Sequence, residues 1–195
     1  MAVPSLPLSG DKIALRRRAR EQRRAYVESL SPAQRDKQEQ ALAAHLAPLI
    51  ATSRIIAAYA PMPDEISPMP ALEQARQSST TIAFPAFNDH LATLRFLAGE
   101  PTETGPFGVM QPPLSSIEVH PDLILVPLVA IDAAYNRLGQ GKGHYDRVLP
   151  ELRRRGALLV GIGWPVQRLD QAIEPEAWDV TLDGFASPDG LDLKR

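Results

Sequence analysis

The chain has 195 residues, 44% of them hydrophobic and 23% charged, with a formal net charge of −2 and no cysteine. This composition is ordinary for a globular domain, and the missing cysteine excludes disulfides, thiolate metal sites and a cysteine nucleophile. The weakly acidic balance argues against a general nucleic-acid binder. No apolar run approaches the roughly 18–20 residues that span a bilayer, and the N-terminus lacks a secretory pattern, so we expect a cytoplasmic protein without a membrane partner.

The first predicted element is an arginine-rich helix that follows a loose arm at residues 1–10. Asp11 is suited to cap this helix. Lys12 and Arg16 are four residues apart, so they share one helical face and could converge on a single anion. The helix contains six arginines, which permits an RNA-binding hypothesis, but a solvated surface is the simpler interpretation. The arginines assigned to that surface are Arg17, Arg18, Arg23 and Arg24.

Helix and strand patterns alternate through most of the remaining chain. Ser31 and Gln34 form a capping-box pattern at the start of the second helix. Further helices are predicted at 67–76 and 145–156, the latter kinked or divided at Pro150, and strands at 54–60, 80–85, 93–97, 123–131 and 158–163. The alternation predicts one α/β domain over residues 11–195, with an open, mostly parallel twisted sheet, helices on both faces and Rossmann-like layering.

The most informative stretch runs from Arg137 to Asp146 and reads RLGQGKGHYD. It joins an apolar strand to a helical pattern. Glycine at alternate positions allows positive φ and opens the amide groups to an anion, and the helix directs its positive end to the same place. Arg137 and Lys142 add two cations, so the stretch suits a bound polyphosphate. Glycines alone would fit a surface turn equally well, but a position beyond the carboxyl end of a strand favours a ligand site.

The segment from Arg137 to Arg147 resembles the signature of the 5-formyltetrahydrofolate cyclo-ligases, also called methenyltetrahydrofolate synthetases. Val126-Pro127 and Ala130-Ile131-Asp132 resemble the residues that precede the signature in that family, and the similarity covers about residues 11–185. The resemblance implies an ATP- and Mg²⁺-dependent ligase that converts 5-formyltetrahydrofolate, with or without a polyglutamate tail, to 5,10-methenyltetrahydrofolate. We expect a monomer.

The resemblance also assigns residues to the nucleotide. Those implied to hold ATP are Lys12, Arg16, Arg137, Leu138, Gly139, Gln140, Gly141, Lys142, Gly143, His144, Tyr145 and Asp146. Arg137, Lys142 and Tyr145 are expected to act in catalysis. Asp146 is expected to help place Mg²⁺, although an acid in a first helical turn is also favoured by the helix dipole alone.

Four residues are implied to bind the folate: Tyr59, Glu65, Phe107 and Tyr145. In the family a carboxylate at the Glu65 position holds the aminopyrimidine edge of the pterin, a planar donor pair that suits a bidentate acceptor. By position alone Glu65 would be an exposed loop acid. Phe107 lies in a long loop from Gly99 to Pro113, where it could wall a flat ligand or pack beneath the loop.

The chain departs from the family pattern at three positions. Gln111 stands where an acid is usual, His144 where tyrosine is usual, and Trp178 where histidine is usual, while Asp179 and Asp183 keep their places. These departures leave open a homologue that keeps the nucleotide loop but acts on another small substrate. No histidine cluster indicates a metal centre, since the histidines share no ligand spacing: His45, His90, His120 and His144.

Overall fold

The computed structural model describes residues 9–89 and 93–194 of the chain. The helices of this part are α1 (Ser9–Glu28), α2 (Pro32–Thr52), α3 (Met69–Arg76) and α4 (His144–Arg154). The strands are β1 (Ile55–Ala57), β2 (Thr81–Ala86), β3 (Arg95–Ala98), β4 (Glu103–Thr104), β5 (Met110–Gln111), β6 (Leu123–Pro127), β7 (Ala130–Ile131), β8 (Arg137–Leu138), β9 (Leu158–Ile162), β10 (Gly184–Ser187) and β11 (Gly190–Leu193). None of the helices in this part is both long enough and apolar enough to cross a bilayer.

Seven of these strands form the main sheet, in the order β11-β10-β9-β6-β1-β2-β3. The pairs from β10 to β2 are parallel, and only the outermost pairs, β10–β11 and β2–β3, are antiparallel. The chain starts in the middle at β1, builds outward to β2 and β3, and then returns to the other side of β1 with β6. A topological switch point therefore lies between β1 and β6, and the predicted open, mostly parallel sheet is confirmed.

Both faces of the sheet are covered, as predicted. Side chains alternate along each strand, so Leu123 and Leu125 of β6 pack with α2 and α3 on one face. Ile124 and Val126 of the same strand point to the other face, where Leu149 of α4 packs. Helix α1 contributes Ala19 to a smaller apolar cluster with residues around β7 and β8. Burial of these apolar side chains is the main term that stabilises the layers.

Several local predictions are confirmed and others need correction. The capping box is present: the amide of Gln34 donates to Ser31 Oγ at 3.3 Å, and the amide of Ser31 donates to Gln34 Oε1 at 2.8 Å. Within the described residues α1 already includes Ser9, so Asp11 lies inside the helix and not at the start predicted for it. Helix α4 continues through Pro150 and is not divided, because buried leucines on both sides of the proline anchor the helix to the sheet.

The segment between β6 and the glycine-rich loop also differs from the prediction, since the strand predicted at 123–131 is two strands. β6 ends at Pro127, and a small antiparallel hairpin of β7 and β8 precedes the loop. The buried Asp132 holds the hairpin turn by accepting from the amides of Ala134 and Asn136 at 2.9 and 2.8 Å. Its second oxygen accepts from the amide of Ile173 at 2.9 Å, which ties the hairpin to a distant loop.

Candidate active site

A cavity of about 910 Å³ opens at the carboxyl edge of the parallel strands. Tyr59 and Glu65, which follow β1, line one side of it, and Leu128, which follows β6, lines the adjacent side. The cavity therefore lies at the switch point of the sheet, where diverging connections leave a crevice and where open α/β proteins bind ligands.

The glycine-rich loop from Gly139 to Gly143 forms one wall of this cavity. Gly141 and Gly143 have φ of +95° and +64°, a backbone conformation that favours glycine. Gly143 is also the N-cap of α4, and no side chain caps that helix end. The first amide groups of α4 thus keep the orientation and partial positive charge that bind anions.

Helix α1 lies along the loop and contacts it with two arginines that are one helical turn apart. Arg16 Nε donates to the carbonyl of Gly139 at 3.1 Å. One turn later Arg20 donates to the carbonyl and the side-chain oxygen of Gln140, at 3.1 and 2.6 Å. At the other end of this face, Lys12 Nζ lies 2.7 Å from Asp179 Oδ2 and 3.5 Å from a carboxylate oxygen of Glu176. The predicted pair Lys12 and Arg16 therefore does share one face, and that face is turned to the cavity.

Arg137 is buried at the base of the loop. Its guanidinium donates to a carboxylate oxygen of Asp146, and its carbon lies 5.8 Å from the ring centre of Tyr145. Its Nε has no hydrogen-bond partner within the described residues. Burial raises the pKa of the Tyr145 hydroxyl, and the nearby Glu65 carboxylate raises it further, while Arg137 opposes the shift. Tyr145 is therefore a neutral phenol that can donate a hydrogen bond.

A second group, which we call the carboxylate end, consists of Arg23, Tyr59, Asp64 and Glu65. Glu65 accepts from the amide of Met62 at 3.0 Å, and its other oxygen lies 3.6 Å from Arg23. Burial raises the pKa of the Glu65 carboxyl, and the Met62 amide, Arg23 and a hydrogen bond from Gln140 partly offset that rise. Tyr59 donates to the carbonyl of Ile66 at 2.6 Å, which fixes its ring against the cavity.

Arg23 was assigned to the surface from the sequence, and this assignment is wrong. Its side chain is buried and donates to one oxygen of Asp64 at 3.1 and 2.9 Å and to the carbonyl of Leu128. A sequence signal existed, because the helical face that contains Lys12 and Arg16 also contains Ala19 and Arg23. Of the arginines assigned to the surface, Arg17, Arg18 and Arg24 are exposed.

The structure describes all three residues at which the sequence departs from the family pattern. Gln111 is buried, and its amide both accepts from and donates to the backbone of Phe87, an exchange that a carboxylate could not make. His144 lines the cavity with its ring 4.8 Å from that of Phe87, and burial beside Arg147 and Lys142 lowers its pKa. Trp178 also lines the cavity.

Residues named from the sequence come together in this cavity. Those that line it are Lys12, Arg16, Tyr59, Glu65, Arg137, Leu138, Gly139, Gln140, Gly141, Lys142, Gly143, His144, Tyr145 and Asp146. The remaining predicted residue, Phe107, lies in a short 3₁₀ turn between β4 and β5, and its side chain is outside the described part of the structure. Asp183 does not line the cavity, since it bonds to Arg153 and to the amide of Leu159.

The fold and the position of the cavity define an open α/β protein with a ligand site at the switch point of its sheet. Residues 9–188 match the 5-formyltetrahydrofolate cyclo-ligase family. The chain belongs to this family, as the sequence resemblance predicted, and the prediction that it is an enzyme of the ligase class is confirmed.

Individual relatives agree with the family match. The 5-formyltetrahydrofolate cyclo-ligase of Haemophilus influenzae is 30% identical over 86% of this chain and 94% of its own length. The Escherichia coli K12 enzyme of the same name is 27% identical over 87% of this chain and 96% of its own length. The solved structure of the Aquifex aeolicus 5,10-methenyltetrahydrofolate synthetase is 25% identical, covers 93% of this chain and 92% of that one, and superposes with a TM-score of 0.77. The synthetase structure from Mycoplasma pneumoniae, at 24% identity and a TM-score of 0.69, supports the fold.

Proposed function

We propose that this chain converts 5-formyltetrahydrofolate to 5,10-methenyltetrahydrofolate in an ATP- and Mg²⁺-dependent reaction that releases ADP and phosphate. One observation carries the proposal beyond family membership. Three parts of the chain that are distant in sequence line one cavity at the switch point of the sheet: Lys12 and Arg16 of α1, the glycine-rich loop, and Tyr59 and Glu65 of the carboxylate end. A reaction between a triphosphate and a reduced pterin requires two such sites side by side.

The triphosphate binds at the glycine-rich loop. The amides of the loop and of the first turn of α4 donate to phosphate oxygens, and Lys142, Arg16 and Arg137 neutralise their charge. Lys12 also contributes, because an ammonium group has three donors and Asp179 and Glu176 occupy at most two of them.

Asp146 is suited to hold Mg²⁺ together with phosphate oxygens. Arg137 donates to one of its carboxylate oxygens and leaves lone pairs of the other available. Within the described residues there is no group of three or more acidic or histidine side chains that could hold a metal ion without the nucleotide. This donor set fits Mg²⁺, which commonly binds one or two carboxylates, substrate phosphates and water. When bound, the ion would offset negative charge on the phosphates.

The pterin binds at the carboxylate end. Glu65 accepts from the aminopyrimidine edge, and Arg23 and the Met62 amide hold the carboxylate in position. Tyr145 borders both substrates, because its ring contacts Arg137 on the nucleotide side and its hydroxyl experiences the charge of Glu65 on the other. The Tyr145 hydroxyl donates a hydrogen bond to the phosphoryl group that passes from ATP to the folate.

The chemical sequence has two steps. In the first step, the formyl oxygen of the folate attacks the γ-phosphorus of ATP, and the bond from that phosphorus to the bridging oxygen breaks. ADP is released, and the folate now carries an imidate phosphate. In the second step, the neighbouring folate nitrogen attacks the activated formyl carbon, and this new bond closes the ring. The nitrogen loses its proton and phosphate leaves from the carbon. The chain supplies alignment and charge neutralisation, and Arg137, Lys142 and Tyr145 act on the transferred phosphoryl group.

The activity test mixes the purified chain with ATP, Mg²⁺ and 5-formyltetrahydrofolate and follows the absorbance of the methenyl product. Product formation that requires all three additions is the expected result. Folded protein that gives no product with authentic substrate would reject the proposed reaction. A chain that binds ATP in calorimetry but not 5-formyltetrahydrofolate would instead act on a different small substrate.

A further inference from the structure

The two tryptophans of the chain lie in opposite environments. Trp164 is fully buried, whereas Trp178 is 66% exposed and lines the cavity. Ile13, on the first turns of α1, lines the same cavity and is 61% exposed. An apolar side chain that stays in water gains free energy when a partner or ligand covers it. Two of them on the wall of a binding cavity therefore indicate a ligand group with an apolar surface.

The contacts of α1 arrange the cavity in a definite order. Arg23 contacts Asp64 at the carboxylate end, Arg16 contacts Gly139 of the loop, and Lys12 contacts Asp179. At 1.5 Å per residue, the helix carries these contacts over about 16 Å from Arg23 to Lys12. The glycine-rich loop thus lies between the carboxylate end and the segment that contains Trp178.

This order fixes the direction of the nucleotide, given the proposed function on which the argument rests. The γ-phosphate must face the formyl group, and the pterin occupies the carboxylate end at Glu65. The rest of the nucleotide therefore extends away from Glu65, past Arg16 and toward Lys12. The nucleoside arrives where Ile13 and Trp178 are exposed.

We propose that Trp178 and Ile13 form the subsite for the purine base of ATP. The indole stacks on the base, an interaction that tolerates any flat ring with a π-face. The Glu176 carboxylate, which is partly exposed near Lys12, accepts from the exocyclic amine of adenine.

Charge favours the base over the folate tail as the occupant of this subsite. The glutamate tail of a folate is anionic and would meet the carboxylates of Glu176 and Asp179, which Lys12 balances only in part. A purine carries no charge and avoids this repulsion.

Calorimetry with three probes tests the subsite: Mg·ATP, Mg·tripolyphosphate and 5-formyltetrahydrofolate. Trp178→Ala should weaken Mg·ATP about ten-fold or more, since stacking on an aromatic side chain is lost. Binding of Mg·tripolyphosphate and of 5-formyltetrahydrofolate should be unchanged. Trp178→Phe, which keeps a flat ring, should recover most of the Mg·ATP affinity. Ile117→Ala, which truncates another exposed apolar side chain that does not line the cavity, serves as the control.

Tryptophan fluorescence gives an independent readout in the unmodified chain. Mg·ATP should change the emission of Trp178, whereas Mg·tripolyphosphate, which fills only the loop, should not. In Trp178→Phe the remaining tryptophan is the buried Trp164, so Mg·ATP should cause no comparable change.

Each other outcome has a distinct meaning. Unmodified protein that binds no Mg·ATP would reject the proposed function and the base subsite with it. Mg·ATP binding that Trp178→Ala leaves intact would reject the subsite alone. Equal losses of Mg·ATP and Mg·tripolyphosphate, or a loss confined to 5-formyltetrahydrofolate, would also overturn the assignment of Trp178 to the base.

Discussion

The two ends of the cavity are built from different chemical groups. At the carboxylate end, Arg23 and Glu65 are buried, and they are held by each other, by Asp64 and by the Met62 amide. At the loop end, partly exposed cations surround the main-chain amides of the glycine-rich loop, and at Gly141 no side chain covers the backbone. The side chains of the carboxylate end are therefore held by one another, whereas the loop end brings hydrogen-bond donors and positive charge together.

This difference predicts different responses to mutation. Removal of Arg23 from the carboxylate end leaves the buried Glu65 carboxylate without its cationic partner, so the folded state is destabilised before binding is considered. Removal of one group at the loop end exposes no buried charge, and its main effect should be on the nucleotide. Arg137 shares features of both ends, since its side chain is buried like those of the carboxylate end and it lies at the base of the glycine-rich loop.

The largest effect is therefore expected for Arg137→Ala. We expect the rate of methenyl product formation to fall about a thousand-fold, because a preorganised cation is lost next to the transferred phosphoryl group. Arg168→Ala is the control, since Arg168 pairs with Asp192 on the surface and should leave the rate unchanged. Full activity in Arg137→Lys, which keeps the charge but loses the planar fork, would show that the fork has no role.

Arg23→Ala tests the other end through stability. It removes the buried partner of Asp64 and Glu65, so urea denaturation should show a loss of about 3 kcal/mol in the free energy of unfolding. The adjacent Arg24 is exposed, and Arg24→Ala should stay within about 0.5 kcal/mol of the unmodified protein. Similar losses in the two variants would contradict the description of Arg23 as a buried anchor.

The fold was predictable because its signals are local. Apolar runs, the Ser31 capping box and alternate glycines act over a few residues, and they predicted β1, β2, β3, β6 and β9, the start of α2 and the loop. They did not predict β10 and β11, which complete one edge of the main sheet. The hairpin of β7 and β8 was missed because its strands have two residues each. The contact that holds it, from Asp132 to Ile173, crosses a long stretch of chain.

The candidate site was predictable only in part. The loop from Gly139 to Gly143 is visible in the sequence because its chemistry lies in consecutive residues. The burial of Arg23 depends on Asp64 and Leu128, which only the folded sheet brings to α1. Glu65 required the family resemblance, since an acid in a proline-rich loop has no local signal for burial.

Glu65→Gln should weaken 5-formyltetrahydrofolate binding about a hundred-fold, because the amide keeps one neutral acceptor oxygen and turns an NH2 donor toward the second donor of the pterin. Burial raises the pKa of Glu65, so the unmodified carboxylate takes up a proton at a higher pH than an exposed glutamate does. Folate affinity should therefore fall as the pH decreases through this raised pKa, and the Gln variant should lack that dependence. Calorimetry over a pH series measures both effects, and parallel pH profiles would exclude Glu65 as the titrating group.

The smallest effect is expected for Gly141→Ala in the glycine-rich loop, where backbone strain must be separated from the loss of nucleotide binding. A Cβ at Gly141 would lie 3.6 Å from the guanidinium of Arg16, an ordinary contact, but φ there is +95°. Gly141→Ala should thus lower the free energy of unfolding by about 1 kcal/mol through backbone strain.

Gly156 provides a matched control for that strain, since its φ is +93° and no atom lies within 4 Å of its added Cβ. Gly156→Ala should show a similar loss of stability with unchanged Mg·ATP affinity. Gly141→Ala should in addition weaken Mg·ATP about ten-fold, because the methyl group occupies space at the phosphate wall while the deep carboxylate end is untouched. If both variants lose nucleotide affinity equally, the loss reflects strain alone, and the loop does not differ from an ordinary turn.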